Sequence, residues 1–210
     1  MSVVNYSVKA AVVDLRIDNG KATDRIYVDT NVWFWTAYSK VHLSPTPPSQ
    51  NQTQAYPPFL KRVLNMGGQL HWCGLSLSEL AHLIEKTEYD IHCQATSAML
   101  NQKEFRHNLP TERANVVQEI QAAWASVETM AGCLVAPEIN ASSTAAALQD
   151  FAQLPVDGYD LFAVNALKAA GIKQIVSDDG DFCSVPGITL FTANQNVIDA
   201  AKRQGRFCQR

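Results

Sequence analysis

Long apolar runs are missing from this 210-residue chain. None approaches the ~18–20 residues that a transmembrane helix needs. A basic segment followed by a long apolar stretch is also missing from residues 1–20, so no secretory leader and no membrane association are expected, and the expected location is cytoplasmic. Cysteine is sparse: Cys73, Cys93, Cys133, Cys183 and Cys208 are an odd set of five with no C-x-x-C pair. A disulfide framework or structural zinc site is therefore not expected, and buried or free thiols are. Neither charge sign dominates, since 17 Lys+Arg against 20 Asp+Glu leave a net charge of −3. That balance argues against tight nonspecific nucleic-acid binding. It leaves room for a nuclease, because divalent ions on acidic ligands would restore positive charge locally. The phosphate loops G-x-x-x-x-G-K-[ST] and G-x-G-x-x-G do not occur, nor does the serine elbow G-x-S-x-G. Five histidines (His42, His71, His82, His92, His107) show no H-E-x-x-H spacing, and core or surface roles are expected for them.

What is present suits one globular domain: 47% of the residues are apolar and 18% charged. Residues 25–28 are a short β-type run, and 32–38 (VWFWTAY) start a buried helix. Residues 43–58, rich in Pro, Gln and Ser, are expected to form a long exposed loop before a short helix at 59–64. A strand at 69–75 precedes a helix capped by Ser76 or Ser78 and running to about residue 86. A second helix is expected over 89–105, a third from Pro110 to Gly132, and a strand over 133–136. Residues 157–170 read as a helix closed by Gly171, followed by a strand at 172–177, a turn at 178–181, a strand at 188–192 and a helix at 195–203. Strands alternating with helices predict an α/β parallel sheet with helices on both faces, here with a helical insertion at about 89–131 and an N-terminal extension at 1–24. The segment 11–17, entering the turn Asp18-Asn19-Gly20, either pairs with 25–28 or caps a sheet edge.

The acidic residues fall at equivalent places in this plan. Asp29 ends one strand, Glu79 lies early in the helix after another, Asp178, Asp179 and Asp181 follow a third, and Asp157 and Asp160 open a helix. In open α/β sheets, ligands bind outside the carboxyl ends of the strands. Clustered carboxylates repel unless cations or protons intervene, and oxygen-only ligands select hard ions such as Mg²⁺ or Mn²⁺. Such ions serve phosphodiester hydrolysis by metal-activated water. Taken singly, each acid also suits a helix cap or a turn.

Four short motifs in order resemble the PIN domain family: Ile26-Tyr27-Val28-Asp29-Thr30-Asn31, Ser76-Leu77-Ser78-Glu79-Leu80, Asp160 opening a helix that leads to Ala166-Leu167, and Ser177-Asp178-Asp179-Gly180-Asp181-Phe182. The resemblance covers about residues 25–86 and 157–194. It implies a parallel-sheet α/β/α sandwich and an Mg²⁺- or Mn²⁺-dependent endoribonuclease acting on RNA. Asp29, Glu79, Asp160 and Asp179 are its implied metal-binding catalytic acids, with Asp181 nearby and Asn31 and Ser177 orienting them by hydrogen bonds. Asp157 is the alternative to Asp160 as third acid, and Asp178 is a supporting neighbour. Many members are toxins of toxin–antitoxin pairs, so an antitoxin and a homodimer are implied partners. The chain departs from the pattern in its 28 residues before Asp29, in its long middle, and in Ser177 where the family has Thr. The contrasting expectation is a PIN-like module that binds RNA or protein without cutting. A phosphatase using Asp29 as nucleophile would need an acid where Asn31 stands. Trp33, Trp35, Tyr38 and Tyr56 suit either base stacking or core packing, and the basic tail 202–210 suits either phosphate contact or a solvated end.

Overall fold

The computed structural model describes residues 4–44, 47–134 and 139–210. Among them, seven strands form one sheet in the order β4-β3-β2-β5-β6-β1-β7. The strands are β1 (Ala11–Asp14), β2 (Arg25–Val28), β3 (Gln69–Trp72), β4 (Gly132–Cys133), β5 (Gln174–Val176), β6 (Thr189–Thr192) and β7 (Phe207–Cys208). Every pairing is parallel. The helices are α1 (Thr30–Ala37), α2 (Gln50–Asn65), α3 (Gly74–Thr96), α4 (Gln102–Asn108), α5 (Pro110–Met130), α6 (Ala141–Phe151), α7 (Gly158–Ala169) and α8 (Gln195–Arg203).

Side chains alternate across a strand, so each short apolar run feeds two cores. Val12, Tyr27, Ile175 and Leu190 enter one core with residues of α6, α7 and α8. Val13, Ile26, Val28, Val176 and Phe191 enter the other with residues of α1, α2, α3 and α5. Burial on both faces is what a parallel sheet requires, and the result is an α/β fold with helices on either side. All strands point the same way, so their carboxyl ends share one rim.

The expected loop over 43–58 is corrected. Gln50–Asn65 is one helix, with Pro57 and Pro58 inside it and a capping box between Ser49 and Gln52. Each interior proline costs ~3 kcal/mol. Burial of Phe59, Leu60 and Val63, at about 1.5–3 kcal/mol each, offsets that cost, and Tyr56 and Ala55 are buried on the same face. Pro45 and Thr46 of that stretch lie outside the described residues.

The expected break near residue 86 is also corrected, because α3 continues to Thr96 and ends at Ser97 in the left-handed region. The polar triplet at 86–88 is satisfied partly within the helix and partly from outside it. The Thr87 hydroxyl donates to the Leu83 carbonyl, and Glu88 accepts from Tyr38 and Lys40. The cap of α3 is Cys73, not Ser76 or Ser78; the Cys73 N–H donates to the Ser76 hydroxyl at 3.3 Å. Ala123 and Val127 of α5 belong to the second core, so the expected insertion packs on the sheet through α5.

β1 neither pairs with β2 nor forms an edge; it lies between β6 and β7. The tail is exposed but tethered at its end, for the Arg210 side chain bonds Asp18 and Asp24. Of the expected strand at 133–136, β4 accounts for Cys133, and residues 135–136 lie outside the described set. Helix α6 and strand β7 were not expected. All five cysteines are free, and among the described residues no helix is long and apolar enough to cross a membrane.

Candidate active site

The sheet ladder sets the site. Beyond the strand ends, the Asp29 N–H donates to the Val176 carbonyl and the Ser177 N–H to the Phe191 carbonyl, so Asp29 and Ser177 stand side by side on the rim. Asp29 is also the N-cap of α1, its side chain accepting from the Thr30 N–H at 2.7 Å. The Ser177 hydroxyl donates to the second Asp29 oxygen at 2.6 Å and accepts from the Asp179 N–H at 2.9 Å. Asp179 in turn accepts from the Asp181 N–H at 2.8 Å, which closes the tight turn.

Three further acids come from two helices. Glu79 sits one turn into α3 rather than in its first turn, because that helix begins at Gly74. Asp157 caps α7, accepting from the N–H groups of Tyr159 and Asp160. The two α7 acids thus separate: Asp157 is exposed and spent on the cap, whereas Asp160 is buried, with 9% exposure. Among the described residues the Asp160 carboxyl takes no hydrogen bond.

The acids feel one another. Burial and the charges of Asp29, Asp157, Asp179 and Glu79 push the Asp160 carboxyl up to about 9. Asp29, 4% exposed, is pushed up to about 7 by burial and by Glu79 and Asp179, against the opposing Ser177 and Thr30 hydrogen bonds. Burial, with Asp157 and Asp179, raises Glu79, while the Thr30 hydroxyl and His82 act the other way. Asp181 is raised by burial, Asp179 and Asp157. Asp29, Glu79, Asp157, Asp160, Asp179 and Asp181 therefore lie in one electrostatic neighbourhood.

Asp178 does not join them. Its carboxylate accepts from Tyr56 at 2.5 Å and from Gln52 at 2.7 Å, both on α2, and its carbonyl accepts from the Asn194 side chain at 2.8 Å. The Tyr56 hydroxyl also meets the Thr192 hydroxyl and accepts from the Ala193 N–H. Tyr56 thus packs in the core and fastens α2 to the acidic turn. Trp33 and Tyr38 are core residues as well. Among the described residues the Asn31 side chain makes no hydrogen bond; both Asp29 oxygens are already engaged by Thr30 and Ser177.

Gln52, Asn194 and Tyr6 were missed by reading the sequence, and Tyr56 was named there only for stacking or core packing, not for its bond to Asp178. The ring of Tyr6 lies over Gly180, where an added Cβ would fall on its Cε1, Cζ and Oη atoms. Tyr56 and Asp178 are 122 residues apart, so no local pattern links them.

A largely buried carboxyl set among other carboxyls favours a proton or a cation beside it. The donors are oxygens alone, which suits Mg²⁺ or Mn²⁺. Among the described residues no three His, Cys, Asp or Glu side chains close on a single point. An ion carried by one or two carboxylates and several waters, as Mg²⁺ usually is, fits that arrangement.

No model of a known protein family matches the chain, and no curated protein matches it. Among solved structures, the chain is similar to one in VapBC2 from Rickettsia felis bound to a DNA fragment from their promoter. The TM-score is 0.47 at 12% identity, with 80% of this chain and 98% of that chain covered.

Proposed function

We propose that this protein is a divalent-metal-dependent ribonuclease whose acids are Asp29, Glu79, Asp160 and Asp179. The observation that carries the reading is Asp160, a largely buried carboxyl raised to about 9 by burial and by four neighbouring acids. Asp29 and Asp179 are fixed through one serine, Asp29 as acceptor from its hydroxyl and Asp179 through its own N–H. Asp157 holds the first turn of α7, and with it Asp160, in place. Asp181 adds negative charge at the edge. When bound, Mg²⁺ or Mn²⁺ would lower the pKa of water and neutralise charge on the phosphate oxygens. RNA as substrate, an antitoxin protein as partner and a homodimer belong to the same proposal and rest on the motif resemblance.

Cleavage of labelled RNA in Mn²⁺, Mg²⁺ or EDTA, wild type beside Asp29→Asn and Asp179→Asn, tests the reading. We expect metal-dependent cutting in wild type and a loss of at least about 100-fold in either variant. Mn²⁺ is expected to raise the melting temperature of wild type and not of the variants. Asp29→Asn turning over at the wild-type rate would end the assignment. The second reading, a module that binds without cutting, draws on the absence of a closed three-ligand set among the described residues. It predicts RNA or protein binding with no turnover.

A further inference from the structure

The nuclease reading leaves one side chain at the rim without a role. Tyr6 precedes β1, in the N-terminal stretch, and its side chain reaches the acidic turn at Gly180. Gln204, the C-cap of α8, grips that stretch on both sides of residue 7: its amide donates to the Tyr6 carbonyl at 2.8 Å, and its carbonyl accepts from the Val8 N–H at 2.9 Å. Two further bonds, from the Lys9 and Ala10 N–H groups to the Cys183 carbonyl, tie the same stretch beside the turn. The backbone around Tyr6 is thus held at four points.

The hydroxyl end of the ring then lies on Gly180 so closely that a Cβ there would force the ring to shift. This is a steric demand and not a conformational one, since Gly180 has φ −71°, an angle any residue adopts. Adjacent Cα atoms are 3.80 Å apart, so a hydroxyl against Gly180 lies within about 8 Å of the Cα atoms of Asp179 and Asp181. Asp178, Asp179 and Asp181 all act electrostatically on the phenol. The ring is half-buried, and among the described residues its hydroxyl has no hydrogen-bond partner.

The chemistry of the rim says what such a hydroxyl can do. Ionised carboxylates only accept hydrogen bonds, and a phosphodiester also offers only acceptors. The Ser177 hydroxyl is spent on Asp29 and Asp179. A neutral O–H donor on a fixed ring supplies the complement that the acids lack. Resting on the nuclease reading, we propose that Tyr6 is a substrate-contacting residue whose hydroxyl donates to a phosphate oxygen of the RNA strand held at the acidic turn. The N-terminal stretch is then part of the active site.

The test uses the full chain and a 5′-fluorescein-labelled, mixed-sequence single-stranded RNA in Mn²⁺. Initial rates over RNA concentration are measured for wild type, Tyr6→Phe, Tyr6→Ala and Asp29→Asn. Tyr6→Phe keeps the ring on Gly180 and removes only the donor. We expect its kcat/KM to fall about 10- to 100-fold, the range for a hydrogen bond to a charged group, with the melting temperature unchanged. Gly180→Ala is expected to lower the melting temperature in wild type and less so in the Tyr6→Ala background, because the three atoms nearest the added Cβ all belong to that ring. Wild type that cuts, Asp29→Asn that does not and Tyr6→Phe equal to wild type would overturn the role of Tyr6 and leave the nuclease standing. Loss in Tyr6→Ala alone would likewise overturn it, by making the ring and not the hydroxyl the active part. Wild type that cuts no RNA in either Mn²⁺ or Mg²⁺ would remove the nuclease reading and this role together.

Discussion

At the residue scale, the rim trades stability for a charge trap. Asp29 at about 7 and Asp160 at about 9 both exceed the ~3.9 of an exposed aspartate. Between these limits the folded chain binds more protons than the unfolded one, so stability falls as pH rises. Their contribution is complete below about pH 4 and is lost as pH climbs through about 7 and then about 9. Asp14 and Asp24 act in the opposite sense. Burial opposes the ionisation of each, but hydrogen bonds from Arg16, and from Arg210, Gln174 and Lys21, outweigh it and hold them below the ordinary value. Their contribution is present above the ordinary carboxylate range and is lost on acidification. Metal-free protein is therefore expected to melt at a lower temperature at about pH 9 than at about pH 5, a trend that Asp160→Asn flattens. Calorimetry across that range checks it, and a melting temperature that rises steadily to pH 9 would contradict the raised carboxyls. Asp29→Asn is expected to be no less stable than wild type near pH 9, which would separate the loss of cleavage expected of it from misfolding.

At the element scale, α2 matters more than its composition suggests. It covers the second core through Phe59, whose ring stacks on Phe191 at 5.3 Å, and it reaches the rim through Gln52 and Tyr56. Removing the Tyr56 hydroxyl strands the Ala193 N–H and one oxygen of Asp178. Tyr56→Phe is expected to cost about 1–3 kcal/mol in urea unfolding, and activity is expected to fall with it because the acidic turn loses its tether. The periodicity 55, 56, 59, 60, 63 was present in the sequence, but two prolines and a run of glutamines masked it. Helix α8 shows the opposite case: its bounds were readable because Asn194 caps it and no proline interrupts it. The break expected in α3 came from polar residues whose partners, Tyr38 and Lys40, lie about 50 residues away.

At the scale of the whole molecule, the chain is stitched where β1 leaves the sheet and β2 begins. Arg210 grips Asp18 and Asp24 with four hydrogen bonds between 2.6 and 3.0 Å, and its guanidinium lies 4.3 Å from the centre of the Phe191 ring. Arg62 adds two bonds to the carbonyls of Leu15 and Asp18. Asp18 and Asp24 are buried, so Arg210→Ala leaves two carboxylates without their cation. The expected loss is about 3–5 kcal/mol, read by chemical denaturation. A loss under about 1 kcal/mol would show that the contact behaves as an exposed ion pair.

The sequence by itself determined the α/β class, the strands β2 and β6, the helices α5, α7 and α8 to within a few residues, and the placing of Asp29, Asp160 and Asp179 at element ends, with Glu79 one turn deeper in its helix than expected. These are local properties, written in apolar spacing, caps and turn residues. Tertiary structure alone decided that α2 is a helix, that α3 is continuous, that β1 lies between β6 and β7, and that Asp157 caps while Asp160 is buried. It also turned Asp178 away from the other acids and brought Tyr6 to Gly180. Each of those outcomes depends on burial or on a hydrogen bond between residues far apart in the chain, which no window of the sequence contains.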